Sequence, residues 1–311
     1  MTRSPTYDVL VIGGGPAGLN AALLLARARR RVALCDHGRP RNAASHGVHG
    51  FLSRDGVLPS ELLRLGREEA RRYGVAIHPK EVRSLDRTAA GFEATLANGA
   101  VLRGALALLA TGVRDHVPES PGMRACFGIS VHHCPYCDGW EWSDRALAVY
   151  GRGAAGRELS HALLGWSHDV TLVSDGSAKL SRAERCELDR RGVRVEERPV
   201  RRLRHARGRL TALVFADGGT LSRDALFLAT GNEQACGIAS SIGCRLTPKG
   251  AIWTTFRQST AIDGLYAAGD ATHDAQFAIV AAAEGAKAAV AINTELLRRD
   301  RLRARSEAPA R

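Results

Sequence analysis

The chain has little of what would send it to a membrane, a metal ion or a nucleic acid. No apolar run is long enough to span a bilayer, which takes about 20 residues. Residues 1–6 (MTRSPT) are polar and lead straight into a strand, so no signal peptide is expected and a cytoplasmic location follows most simply. There is no second C-x-x-C to complete a zinc set with the first. Cys35, Cys126, Cys186, Cys236 and Cys244 stand singly, so neither a metal site nor a disulfide scaffold is expected. Aromatic residues are scarce, 5% of 311 residues, and are little interleaved with basic ones. The formal charge of +12 comes from 44 basic against 32 acidic residues, the basic ones nearly all Arg and dispersed. That pattern speaks to coding bias and solubility, and no nucleic-acid partner is expected. A hydrophobic content of 45% over this length is globular and suggests about two domains.

What is present begins with His132-His133-Cys134-Pro135-Tyr136-Cys137-Asp138-Gly139. Two cysteines with two residues between them close a small disulfide ring or open to a dithiol, and so exchange electrons in pairs. A histidine beside a thiol acts as a base or steadies a thiolate; His133 is preferred over His132 for its nearness to Cys134. Trp140 and Trp142 read either as pocket lining or as core packing.

Two dinucleotide signatures frame that loop. The apolar run Tyr7 to Ile12 leads into Gly13-Gly14-Gly15-Pro16-Ala17-Gly18, then a helical stretch to about Arg29, then a strand Arg31 to Cys35 ending in Asp36. Gly13 permits the tight turn, Gly15 leaves room for a pyrophosphate, Gly18 lets helix and strand approach, and Asp36 stands where a carboxylate takes ribose hydroxyls. The pattern recurs as a strand Ala146 to Tyr150, then Gly151-Arg152-Gly153-Ala154-Ala155-Gly156, a helix to about Leu164 and a strand Asp169 to Val173 delivering Asp175. Two further strands end in Ala110-Thr111-Gly112 and Ala229-Thr230-Gly231. A last one meets Gly269-Asp270 before a helix from about Gln276 to Leu297.

In this order the pieces resemble the thioredoxin reductase family of low-molecular-weight flavoproteins, from about Tyr7 to Leu297. The most specific feature is Cys-x-x-Cys-Asp-Gly just before the second glycine motif. The resemblance implies an α/β fold of two Rossmann-like dinucleotide-binding domains. Residues 1–116 and 241–300 would bind FAD, 117–240 would be an inserted NAD(P)-type domain carrying the redox pair, and 301–311 a flexible basic tail. It implies that Gly13, Gly15, Gly18 and Asp36 hold the adenosine end of FAD, with Thr111, Gly112, Gly269, Asp270, Gln276 and Phe277 completing the site. Cys137 then matches the sulfur that faces the flavin, Cys134 the one that exchanges with substrate, and Asp138 the proton-handling acid. A homodimer is also implied.

The chain departs from that family where electrons would enter. NADPH-dependent members carry an Arg cluster after the second strand of the inserted domain, and here the stretch is Ser174-Asp175-Gly176-Ser177-Ala178-Lys179. Asp175 would repel a 2′-phosphate and accept from a ribose hydroxyl, so Gly151, Gly153, Gly156 and Asp175 leave NADH, NADPH or neither open. At the head of the last helix an Arg-Gln pair is replaced by Asp274-Ala275-Gln276-Phe277. Cys-Pro-aromatic-Cys followed by Trp140-Glu141 resembles a branch of FAD-dependent dithiol oxidases. These close disulfides in small molecules and pass electrons to oxygen. The segment Pro40 to His46 resembles that branch's flavin-side loop, with Asn42 as a flavin or substrate contact. The expected function is oxidation of a small dithiol by oxygen. The alternatives are an NAD(P)H-dependent reductase of thioredoxin or a small disulfide, and a non-catalytic FAD-bound redox sensor.

Overall fold

The computed structural model describes residues 7–272 and 275–307, with side chains as far as 304. Strand β1 (Tyr7–Ile12), helix α1 (Pro16–Arg27) and strand β2 (Val32–Cys35) form the first unit, with every residue from Val9 to Ile12 and the whole of β2 buried. Such runs carry no polar alternation because both faces of a parallel strand are covered. After helix α2 (Pro59–Arg72) come β3 (Ala76–His78), β4 (Val82–Thr88), β5 (Gly91–Leu96) and β6 (Val101–Leu109). They make one sheet in the order β3-β2-β1-β6-β5-β4. The first half of β6 pairs antiparallel with β5, and its second half pairs in parallel with β17 (Leu265–Ala267), which returns from far along the chain.

The chain leaves this sheet through β7 (Val113–Asp115) and a short helix α3 (Met123–Cys126), and reaches β8 (Val131–His132). Helix α4 (Pro135–Asp138), β9 (Leu147–Tyr150), α5 (Gly153–Leu163), β10 (Val170–Val173), α6 (Arg182–Arg190) and β11 (Arg194–Glu196) follow. A meander of β12 (Val200–Ala206), β13 (Arg209–Phe215) and β14 (Thr220–Leu221) precedes β15 (Ala225–Leu228). The second sheet is parallel throughout, ordered β11-β10-β9-β15-β8. Return to the first sheet is through β16 (Asn232–Gln234), which pairs antiparallel with β7, and a short α7 (Ile238–Ser241).

Helix α8 (Ala278–Glu307) closes the chain against α1. A Cβ on Gly285 would stand 2.1 Å from the Ala17 carbonyl oxygen, so the two backbones touch where no larger residue fits. The helix also corrects the expected boundary: it runs past Leu297 to Glu307, through most of the segment read as a flexible tail. Helix-favouring Ala, Leu and Arg continue the pattern, and Glu295 pairs with Arg298 and Arg299 at 2.8 and 2.7 Å, one turn on. Residues 308–311 lie outside the described residues. Among the described residues no helix is long and apolar enough to cross a membrane.

Candidate active site

The redox loop grows out of a strand. His132 ends β8, paired in parallel with Phe227 of β15, and its ring is 5% exposed. Cys134 caps α4, Pro135 takes the first helical position, and Cys134 and Cys137 are joined in a disulfide. The Cys137 backbone N–H donates to Cys134 Sγ at 3.1 Å. Tyr136, between the two cysteines, and Trp140, just after them, are 71% and 80% exposed, so the loop offers an open aromatic surface beside its sulfurs. Trp142 is partly buried in the core of the second sheet.

The histidines divide differently from the expectation. His132, not His133, reaches Asp138: its Nδ1 lies 3.3 Å from Asp138 Oδ1, while its Nε2 accepts from Trp142 Nε1–H at 3.0 Å. The strand's alternation decides this, sending successive side chains to opposite faces. His133 stacks on Phe127 and places Nδ1 3.8 Å from Asp115 Oδ2. Burial pushes its pKa down, helped by the nearby Arg41 charge.

Arg41 is the residue the sequence reading missed. Its Nε donates to Asp115 Oδ2 at 2.9 Å, and its Nη1 donates to Asp270 Oδ2 and to Gln276 Oε1, both at 2.8 Å. Asn232 Nδ2 donates to the same Gln276 oxygen at 3.1 Å. One guanidinium, 13% exposed, thus ties the loop after β2 to β7 and to the Gly269-Asp270 turn, with His133 against the same carboxylate. Phe277 meets Tyr136 edge-on, ring centres 6.3 Å apart, and His49 Nε2 lies 3.5 Å from Glu141. The redox loop is therefore seated on the first sheet's loops at three places. Asn42 follows Arg41, its backbone carbonyl closing a turn on Ser45. Asp274 lies outside the described residues.

The first glycine loop fits a dinucleotide. A Cβ on Gly13 would strike the Ala110 carbonyl at 2.1 Å, which brings Thr111 and Gly112 alongside, and one on Gly18 would strike the Gly13 carbonyl at 1.9 Å. A Cβ on Gly15 would meet nothing within 4 Å, and α1 starts there with no side-chain cap and no acid in its first turn. Open space against uncapped N–H groups is what a pyrophosphate requires. Gly269 packs against Ala17, where an added Cβ would be 2.8 Å from the Ala17 Cβ, so the Asp270 turn closes over the same helix end. Asp36 accepts from Arg67 at 2.8 Å and from the Gly38 N–H at 2.9 Å, one donor per oxygen, and each oxygen keeps a lone pair.

The second glycine loop is also tight: a Cβ on Gly151 would be 2.6 Å from the Ala229 Cβ and one on Gly156 2.9 Å from the Gly151 carbonyl carbon, while Gly153 has room. Asp175, like Asp36, accepts one donor at each oxygen. Its Oδ2 accepts from Tyr150 O–H at 2.6 Å and its Oδ1 from the Val200 N–H at 2.7 Å. Arg152 donates to the Ser174 and Asp175 carbonyls and stands 3.9 Å from the Asp175 carboxylate, so a cation lies where none was expected. The sequence could have raised Arg152, which sits inside the glycine motif itself. Among the described residues no group of three or more His, Cys, Asp or Glu could hold a metal ion.

Two dinucleotide-type sheets with a disulfide loop between them define a flavoenzyme-like disulfide oxidoreductase, and comparison with known proteins agrees. The model of the family described as pyridine nucleotide-disulphide oxidoreductase matches residues 7–285, and the chain belongs to that family. A protein named thioredoxin reductase tcpT, of Claviceps purpurea, is 30% identical over 287 residues, covering 87% of this chain and 88% of that one. Thioredoxin reductase aclD, of Aspergillus oryzae, is 29% identical over 309 residues, 94% of this chain and 97% of that one. The crystal structure of HlmI superposes with a TM-score of 0.91 at 37% identity, covering 99% of each chain. The chain is thus an oxidoreductase acting on disulfides, of thioredoxin reductase-like fold, and proteins of this kind bind FAD and use NAD(P)H.

Proposed function

We propose that the chain is an FAD-dependent thiol–disulfide oxidoreductase that closes a disulfide in a small dithiol, with oxygen as the final acceptor. The observation that carries it is the seating of the Cys134–Cys137 loop on the Asp270–Phe277 side of the first sheet, with Tyr136 on Phe277 and His133 beside the Asp115 that Arg41 binds. Gly13, Gly15, Gly18, Asp36, Asn42, Thr111, Gly112, Gly269, Asp270, Gln276 and Phe277 would hold the FAD. A substrate thiolate attacks Cys134 Sγ, the Cys134–Cys137 bond breaks, and Cys137 leaves as thiolate. The substrate's second thiolate attacks the mixed disulfide, closing the product disulfide and releasing Cys134 as thiolate. Asp138 takes up one of the two protons that the substrate thiols lose, and the released Cys134 thiolate takes the other. FAD, when bound, supplies the acceptor for the electron pair of the dithiol, which oxygen carries off as peroxide. The exposed Tyr136 and Trp140 suit a small, partly apolar substrate.

The stretch after β10 favours this direction. It has no Arg cluster, the Asp175 carboxylate accepts from Tyr150 and from the Val200 N–H, and Arg152 is engaged on backbone carbonyls. A second reading, NAD(P)H-driven reduction of thioredoxin or a small disulfide, is favoured by the intact packing of Gly151 and Gly156 and by the room at Gly153. A homodimer is proposed on the resemblance alone, and a cytoplasmic location on the cysteine usage.

Anaerobic bleaching of the bound flavin separates the two directions. A small dithiol is expected to bleach it and NADPH to do so slowly or not at all, with aerobic oxygen uptake needing no nicotinamide. Cys134→Ser and Cys137→Ser should each bring turnover to background with flavin retained. Rapid bleaching by NADPH coupled to thioredoxin reduction would overturn the oxidase direction.

A further inference from the structure

Behind the disulfide, Trp142 and His132 form a polar chain to Asp138, and the exchange steps use neither of the two. An indole N–H can only donate, so the Trp142 Nε1 to His132 Nε2 bond at 3.0 Å leaves Nε2 as an acceptor. A neutral imidazole then carries its single proton on Nδ1, the nitrogen 3.3 Å from Asp138 Oδ1. The ring is held by packing, 5.4 Å from the Phe227 ring and 6.0 Å from the Trp142 ring, and its backbone is fixed in a sheet rather than in the redox loop. Asp138, the last residue of α4, is thereby tied to a strand of the second sheet.

We infer that His132 is the positioning residue of the redox site, its tautomer set by Trp142, and that its Nδ1–H holds one oxygen of Asp138 so that the other is presented to the dithiol. The inference rests on the proposed role of Asp138 in handling protons for Cys134 and Cys137. The charged and titratable groups around Asp138 are His132 itself and, further off, His133 among Arg41, Asp115 and Asp270. A carboxylate stripped of a donor keeps its proton to higher pH, so loss of the Nδ1–H should hamper Asp138 as a proton acceptor on the acid side.

The test is the pH profile of dithiol-driven oxygen uptake by the holoenzyme. His132→Leu is expected to move the acidic limb up by about one pH unit, roughly tenfold in rate on that limb, and to converge on the wild type at alkaline pH. His132→Asn places an amide N–H close to the position of Nδ1 and is expected to restore the limb. A merely structural role would lower the rate at every pH and would not distinguish the two variants. In ¹⁵N-histidine spectra the wild type should show His132 as a single Nδ1–H tautomer, and Trp142→Phe should mix it. If the leucine variant does not fold, Trp142→Phe decides. A mixed tautomer with a displaced limb supports the inference, and an unmixed tautomer with an unmoved limb overturns it. Asp138→Asn separates the two levels. If it leaves the limb in place, the role given to Asp138 fails; if it removes the limb while both His132 variants match the wild type, only the inference fails.

Discussion

Arg41→Ala should be among the most destabilising single substitutions outside the apolar cores. The wild-type guanidinium neutralises two carboxylates that its removal would strand. The side chain of Asp115 is 6% exposed and that of Asp270 21%, with Arg41 itself at 13%. Breaking a buried ion pair from one side costs about 3–5 kcal/mol, since the partner charge remains desolvated. Asp270 has some access to water and His133 lies near Asp115, so about 3 kcal/mol is expected, at the low end of that range. Equilibrium urea unfolding of the holoenzyme would measure it, with Arg114→Ala as the control. That arginine pairs with Glu233 at side-chain exposures of 70% and 50%, a geometry in which ion pairs contribute little. Adding Asp115→Asn to Arg41→Ala replaces the stranded charge by a neutral amide and should recover about 1 kcal/mol or more. If Arg41→Ala shifts the midpoint no further than Arg114→Ala, the bridge is not the seat of the redox loop.

Two other outcomes follow from single residues. Gly15→Ala should leave the stability of cofactor-stripped protein nearly unchanged yet weaken flavin retention, because the added Cβ meets no protein; Gly18→Ala should destabilise the stripped protein itself, where a Cβ would lie 1.9 Å from a carbonyl oxygen. Flavin absorbance and thermal melting of both variants check this, and equal behaviour would refute the cradle. Burial pushes the Cys35 thiol up from 9.0 to about 12, so above pH 9 the unfolded chain releases a proton that the folded chain keeps. Stability should therefore be intact below that pH and fall as pH rises towards 12, by about 2 kcal/mol at pH 10.5 from this group. Cys35→Ala should flatten the decline in urea midpoints over that range, and an unaltered slope would count against it.

Both glycine loops and the redox pair were legible in the sequence because each is written locally. An apolar strand, a tight turn and a helix within about 20 residues carry their own periodicity. The Arg41 hub was not legible. Its partners stand 74 and 229 residues away, in loops where no period marks the inward side chain. The choice between His132 and His133 turned on which of two neighbours a two-residue strand points inward, and that phase comes from pairing with β15. Asp175 was placed correctly at the end of its strand, but its partners Tyr150 and Val200 come from the strand beside it and from the meander after β11. The antiparallel strands β4, β5 and β12 to β14 went unforeseen, their alternation being short and broken by Arg on the outer face.

The shared edge of β6 has a consequence for how the molecule comes into being. Half of that edge pairs with β5, made moments earlier, and half waits for β17, made after the whole second sheet. The intervening segment can close its own sheet while the first is still open, since all its strands lie between residues 131 and 228. A chain ending near residue 260 would hold a finished inner body inside an unfinished outer one, with a bare strand edge and the apolar flank of α1 in water. Only when Gly285 docks on Ala17 does the first glycine loop acquire its closing turn. Cofactor retention then reports that synthesis has passed the opening turns of α8.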